Sequence, residues 1–243
     1  MSQNEFICAF CGSNGILSRD HIPPKGLFPS PRPSNLITVK ACMQCNNGTK
    51  KDDQYFVNIL SLDARSDEGA SRGVALKSIR GLNDERAKKY RDSIVDNPTL
   101  VNIQVPTGEI IQNAIQLECS HSRLIRTVDK IARGLAFMYS GTVIDGDYKV
   151  SSRFFYSYDE LDWVPAVIWN YGLNNPDYSG ERGDNVFKYY GNVLPENMWV
   201  WIFEFYKHHH AVSFIINERS SAVQKYSRTK AEDFFSVKDA MRK

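Results

Sequence analysis

Two pairs of cysteines, Cys8-x2-Cys11 and Cys42-x2-Cys45, constrain this chain more than any other feature. A C-x2-C pair folds as a knuckle that turns two sulfurs toward one point. Two such knuckles supply the four thiolates of a tetrahedral Zn2+ site. A site closed by four sulfurs leaves no position for water, so the zinc is expected to be structural and any chemistry must lie elsewhere. A unit this small has little core of its own, so the ion should be needed to hold it. Cys119 stands apart, and five cysteines in this pattern do not read as a disulfide framework. Zinc thiolates without disulfides point to a reducing compartment, and the expected location is cytoplasmic.

The residues around the pairs predict a ββα unit. Residues 16–21 can form a strand that ends in Asp20-His21. Pro23-Pro24 then excludes a helix, and Pro29, Pro31 and Pro33 stiffen the loop. Residues 35–39 have the β-branched content of a second strand, and 42–46 form the second knuckle. From Asp52 onward Tyr55, Phe56, Ile59, Leu60 and Leu62 fall at near-helical spacing.

Further along, 67–92 is charged and helix-permissive, with a thin apolar stripe through Val74, Leu76, Ile79, Leu82 and Ala87. Asp96-Asn97-Pro98 breaks it. Residues 100–105 and 109–116 read as a hairpin around Pro106-Thr107-Gly108. Leu124, Val128, Ile131, Leu135 and Met138 predict a helix over 120–139, with Ser120 as N-cap and Gly141 as stop. Beyond it the chain looks β-rich: 186–190, 198–206 and 211–216 read as strands, the last two turning at 207–210. A short helix is expected over 230–241. The fold class is α+β, divided into 1–62, the zinc-stapled unit, and 63–243, helices followed by an antiparallel sheet.

Composition supports a real core, with 42% hydrophobic and 12% aromatic residues. The net charge of +2 does not by itself argue for nucleic acid. No signal peptide is visible, the apolar runs are too short to span a bilayer, and no membrane partner is expected.

Taken in order, the C-x2-C knuckle, the Asp20-His21-Ile22-Pro23-Pro24-Lys25 run and the Cys42-x2-Cys45-Asn46 run resemble the HNH endonucleases, the ββα-metal nucleases. The resemblance covers residues 6–62, about a quarter of the chain. It implies hydrolysis of DNA phosphodiesters that leaves 5′-phosphate and 3′-hydroxyl ends. His21 matches the general base, a role suited to an imidazole that is neutral near pH 7. Asp20 and Asn46 match the ligands of one catalytic Mg2+ or Mn2+, a hard cation that takes oxygen donors. Asn35 matches the middle letter of the name, which orients the base. One register stays open, because the family spacing of Asn to Lys fits Asn47 and Lys50, whereas the position after the cysteine fits Asn46. Lys50 and Lys51 are the expected phosphate contacts, with Lys25 a weaker one. The part beyond residue 62 would supply target choice, a homodimer contact or the dock for a partner protein, and the setting implied is restriction or anti-phage defence. The rival reading is a catalytically silent zinc module that binds nucleic acid or protein. RNA as substrate is not excluded by the motif.

Outside the motif, His208-His209-His210 reads as a polar hairpin tip, since alternate strand residues face opposite sides and cannot all meet one ion. His121 reads as a polar residue at a helix start and Cys119 as a small buried thiol. Trp163, Trp169, Trp199 and Trp201 read as core rather than as base-stacking platforms.

Overall fold

A computed structural model describes residues 7–66, 68–95, 98–105, 108–155 and 175–220. The chain begins with two antiparallel strands, β1 (Leu17–His21) and β2 (Thr38–Cys42), in which Arg19 lies opposite Lys40 and His21 opposite Thr38. Helices α1 (Met43–Gly48) and α2 (Lys50–Leu62) follow directly. This is the expected strand, loop, strand, helix order, with one correction. The second strand runs three residues later than 35–39, because Ser34-Asn35 is taken by a turn and the pairing continues to Cys42. Cys42 then caps α1, its sulfur accepting from the Cys45 amide.

Next come α3 (Glu68–Leu82) and the short α4 (Lys88–Asp92), which share the charged stretch. The expected hairpin forms from β3 (Thr99–Gln104) and β4 (Ile110–Gln116). Helix α5 (His121–Ser140) carries its apolar stripe on the buried face and stops at Gly141, whose φ of 69° is left-handed. The chain then builds a five-stranded antiparallel sheet from β5 (Tyr148–Phe155), β6 (Tyr178–Arg182), β7 (Phe187–Leu194), β8 (Met198–Phe205) and β9 (His209–Asn217), in the order β5-β9-β8-β7-β6. The expected helix over 230–241, Trp163 and Trp169 lie outside the described residues.

The elements share one core. On β8, Trp199, Trp201, Phe203 and Phe205 point to the same face, the two indoles stacked with ring centroids 5.5 Å apart. Phe56 of α2 meets Phe205 edge-on at 5.1 Å and Phe154 of β5 at 6.0 Å. One buried cluster therefore runs from Cys8 to Ile215 and joins the N-terminal unit to the sheet through α2 and α5. Val200 and Ile202 on the other face of β8 belong to a second cluster with Phe155 and Val212. Burial on both faces explains why β8 is apolar without a break over 198–203 rather than alternating. No helix among the described residues is long and apolar enough to cross a membrane.

The histidine run needs correction. His208, His209 and His210 are buried, not a polar tip. Tyr206 and Lys207, with φ of 49° and 58°, form the turn together with His208, and His209 and His210 enter β9. His209 Nε2 lies 2.9 Å from the Ser66 hydroxyl, and His210 Nε2 lies 3.6 Å from Glu204.

Candidate metal centre and candidate phosphate groove

The four paired cysteines meet. Their sulfurs all lie within 4.8 Å of one another, and Cys11 and Cys42 are 3.8 Å apart. Sulfurs at ~2.3 Å from a tetrahedral zinc are separated by about 3.8 Å, so the cluster fits that ion. Local backbone makes the first knuckle: the Cys8 amide donates to Ser13 and the Gly12 amide to Cys8, while the Ala9 amide donates to Lys40 of β2. The Ser13 hydroxyl and amide pull the Cys11 thiol down to about 6, and the Cys45 amide lowers Cys42. Burial and the neighbouring sulfurs push Cys45 up. Four thiolates this close repel one another, and a dication removes that repulsion.

The second site is a groove on the outer face of β1 and β2. Period-two alternation puts Arg19 and His21 of β1 on one face, and their cross-strand partners Lys40 and Thr38 beside them. The proline-stiffened loop closes the far wall with Lys25, Arg32, Pro33, Ser34 and Leu36, around an open depression of about 790 Å3. The loop is braced at both ends. Ile22 and Ile37 share a backbone hydrogen bond, Arg32 Nε donates to the Lys25 carbonyl, and Tyr206 Oη donates to the Leu27 carbonyl from the distant hairpin. Four permanent cations line this groove, and no carboxylate is among its lining residues.

His21 sits at the end of β1 within that lining. Partial burial, then the charge of Lys25, hold its pKa below the ordinary 6.5, with Asp20 opposing and Arg32 and Lys130 adding to the effect. The imidazole is therefore neutral at pH 7 and free to take a proton.

Of the other singled-out residues, only Lys25 lines the groove with His21. Asp20, its neighbour in the strand, turns to the opposite, buried face. There Lys130 of α5 meets it, with Nζ 3.0 Å from Oδ1 and 2.9 Å from Oδ2. The same ammonium lies 2.7 Å from Asp53 Oδ2 and 3.0 Å from Thr49 Oγ1. Asn46 is half-buried on α1 and donates from Nδ2 to Ser18 Oγ at 2.7 Å, whereas Asn47 is exposed. Asn35 is exposed in the turn between groove residues Ser34 and Leu36. Lys50 and Lys51 are exposed in the first turn of α2, and only Lys25 of the three expected phosphate contacts lines the groove.

A magnesium ion needs oxygens at ~2.0–2.1 Å in an octahedron and keeps several waters. Asp20 and Asn46, as placed, do not fit it, since an ammonium already fills the space before the carboxylate. No catalytic step below is routed through such an ion.

Sequence reasoning missed Arg19, Arg32 and Lys40 in the groove, and Lys130 and Asp53 beneath it. Alternation from His21 would have found Arg19. Lys130 left a signal too, as a cation set against the apolar stripe of an amphipathic helix. Cys119 is half-buried near Tyr55, with its thiol raised by burial, and His121 is an exposed first residue of α5. Trp199 and Trp201 are core. Compared with known proteins, the chain matches no family model, no curated protein and no solved structure.

Proposed function

We propose that this chain is an HNH-type endonuclease that cleaves nucleic-acid phosphodiester bonds, DNA being the substrate the resemblance implies. The observation that carries the reading is the setting of His21: a neutral imidazole at the end of β1, inside a groove lined by Arg19, Lys25, Arg32 and Lys40 with no acid among the lining residues. A strand backbone laid in the groove meets fixed positive charge at its phosphates, which positions it without reading its sequence. His21 then removes the proton from the attacking water, whose oxygen bonds to phosphorus as the bond from phosphorus to the 3′ oxygen breaks; the departing 3′ oxygen takes a proton from solvent, and the surrounding guanidinium and ammonium groups stabilise charge on the phosphoryl oxygens. The four-cysteine centre is scaffold: zinc held there fixes β1 against β2, and so the base against the loop. The residues beyond 62 contribute target choice or a partner contact.

The test is cleavage of supercoiled plasmid by wild type and His21→Ala, in magnesium, in manganese and without added divalent ion. Nicking or linearisation by wild type, lost by at least a hundredfold in His21→Ala while zinc content and circular dichroism persist, is the expected outcome; general bases contribute about 10²–10⁴-fold. A second reading, a silent module that binds nucleic acid, is favoured by the engagement of Asp20 with Lys130. Binding of the plasmid with no cleavage, unchanged in His21→Ala, would select it.

A further inference from the structure

We propose that Lys130 is the resident cation of this fold: its ammonium takes the Asp20 carboxylate that the resemblance gives to the catalytic divalent ion, and it excludes that ion from the wild-type protein. A lysine ammonium has three N–H donors. Here three groups surround it, the Asp20 carboxylate at 2.9 and 3.0 Å, Asp53 Oδ2 at 2.7 Å and Thr49 Oγ1 at 3.0 Å. Thr49 in turn donates to Asp53 Oδ2. The lysine side chain is 5% exposed and that of Asp20 is 8% exposed, so the ammonium is not a surface group that swings aside into water.

The helix is built to deliver it. Gly134, one turn further along α5, has no Cβ where one would fall 2.7 Å from Ile22 Cδ1, so the helix packs directly on the residue after His21. Arg123 and Arg126 bind Asp52 from the turns before, and Arg133 donates to the Phe10 carbonyl from the turn after. Residues 123, 126, 130 and 133 follow helical spacing. Lys130 is thus the central cation of a row along one edge of α5, clamped onto α2 and the first knuckle. Moving it out to admit an ion would mean undocking the helix. A dication beside a retained ammonium would meet a like charge at short range in a poorly screened site.

Lys130 is a positioning residue. It is too enclosed to touch a phosphate in the groove, and it holds Asp20, hence β1, in place beneath His21. The consequence for cleavage rests on the nuclease reading, since charge on the phosphate would then be met by the groove cations and not by an ion at Asp20. The occupancy claim stands without it.

The experiment reads manganese uptake by zinc-replete protein, from the loss of the free Mn2+ paramagnetic resonance signal. It compares wild type, Asp20→Asn, Lys130→Met and the double variant Lys130→Met/Asp20→Asn. Manganese prefers oxygen donors and leaves the thiolate centre to zinc. Wild type and Asp20→Asn should take up equally little. Lys130→Met should bind about one Mn2+ per chain and melt higher with Mn2+ than without it, and the double variant should lose both effects. Uptake by wild type that Asp20→Asn abolishes overturns the proposal, and does so even where Lys130→Met fails to fold. A folded Lys130→Met that takes up no manganese overturns it as well. Because plasmid cleavage is not the readout, failure of the nuclease reading leaves this result intact.

Discussion

Two histidines show how much one position in a strand decides. His21 faces a groove, is partly wet, and stays neutral through burial and neighbouring cations. His209 is enclosed between Ser66, Asp63 and the Phe154 ring, with His208, His210 and Arg65 as the other charged or titratable neighbours. Burial pulls its pKa from 6.5 down to about 3, against the raising effect of Asp63. The unfolded chain binds a proton below pH 6.5 that the folded chain refuses until about pH 3, so His209 takes stability away as pH falls through that window and is without effect above it. By pH 4.5, two units below 6.5, the loss should be roughly 3 kcal/mol, since each pH unit in the window is worth about 1.4 kcal/mol. Urea midpoints measured from pH 7 to 4.5 should fall more steeply for wild type than for His209→Gln, which keeps a polar partner for Ser66. Equal slopes would mean that the ring is protonated in the fold.

Among the elements, the knuckles and the hairpins differ in what makes them form. The first knuckle is a short run of turn hydrogen bonds around Gly12, with Cys8, Ala9 and Phe10 as its buried residues. Zinc is expected to supply most of its stability, since structural zinc sites bind with about 10–16 kcal/mol at neutral pH. Cys42→Ser should lose zinc by mass spectrometry and admit protease first within residues 8–48, while the β6–β9 sheet resists. A Cys42→Ser protein that keeps full zinc affinity would sink the structural role. The β8–β9 hairpin needs no ion, because its aromatic face packs on α2 and α5. The sequence suggests a turn over 207–210 with its tip at polar histidines, whereas the turn spans 206–208. The tyrosine and lysine that form the turn lack the usual Asn-Gly signature, and what holds Tyr206 there is its hydroxyl bond to Leu27, a contact with no local trace.

At the scale of the molecule, α5 holds the parts in register. Arg123 and Arg126 share the Asp52 carboxylate, and the Arg126 bond chiefly keeps that carboxyl below its usual range. With Lys130 between Asp20 and Asp53, the helix docks by charge as well as by its apolar stripe. Removing one member of a buried pair is typically worth 3–5 kcal/mol, so Asp53→Ala should cost stability at the upper end of point mutations, on the order of 3 kcal/mol, in equilibrium urea unfolding. The groove has the opposite character, with Arg19, Lys25, Arg32 and Lys40 all exposed. Phosphate binding there should weaken with salt, log K falling with log salt at a slope of about −3 to −4 for four contacts. Arg32→Ala and Lys40→Ala should each flatten that slope by about 1, measured by fluorescence anisotropy with a duplex oligonucleotide. A slope unchanged in both variants would move the binding surface away from β1 and β2.

The features legible from the chain alone are those that local spacing can encode. Two C-x2-C pairs bring four sulfurs to one point because each knuckle is made within four residues. Strand alternation and helical spacing gave the ββα order, the β3–β4 hairpin and the limits of α5 for the same reason. Long-range packing settles which face of β1 is wet, and therefore that Asp20 and His21, adjacent in sequence, serve different surroundings. It also decided that a lysine 110 positions away fills the space before Asp20. No local pattern specifies that meeting. It depends on where a helix docks, and docking is set by the summed contacts of the whole core.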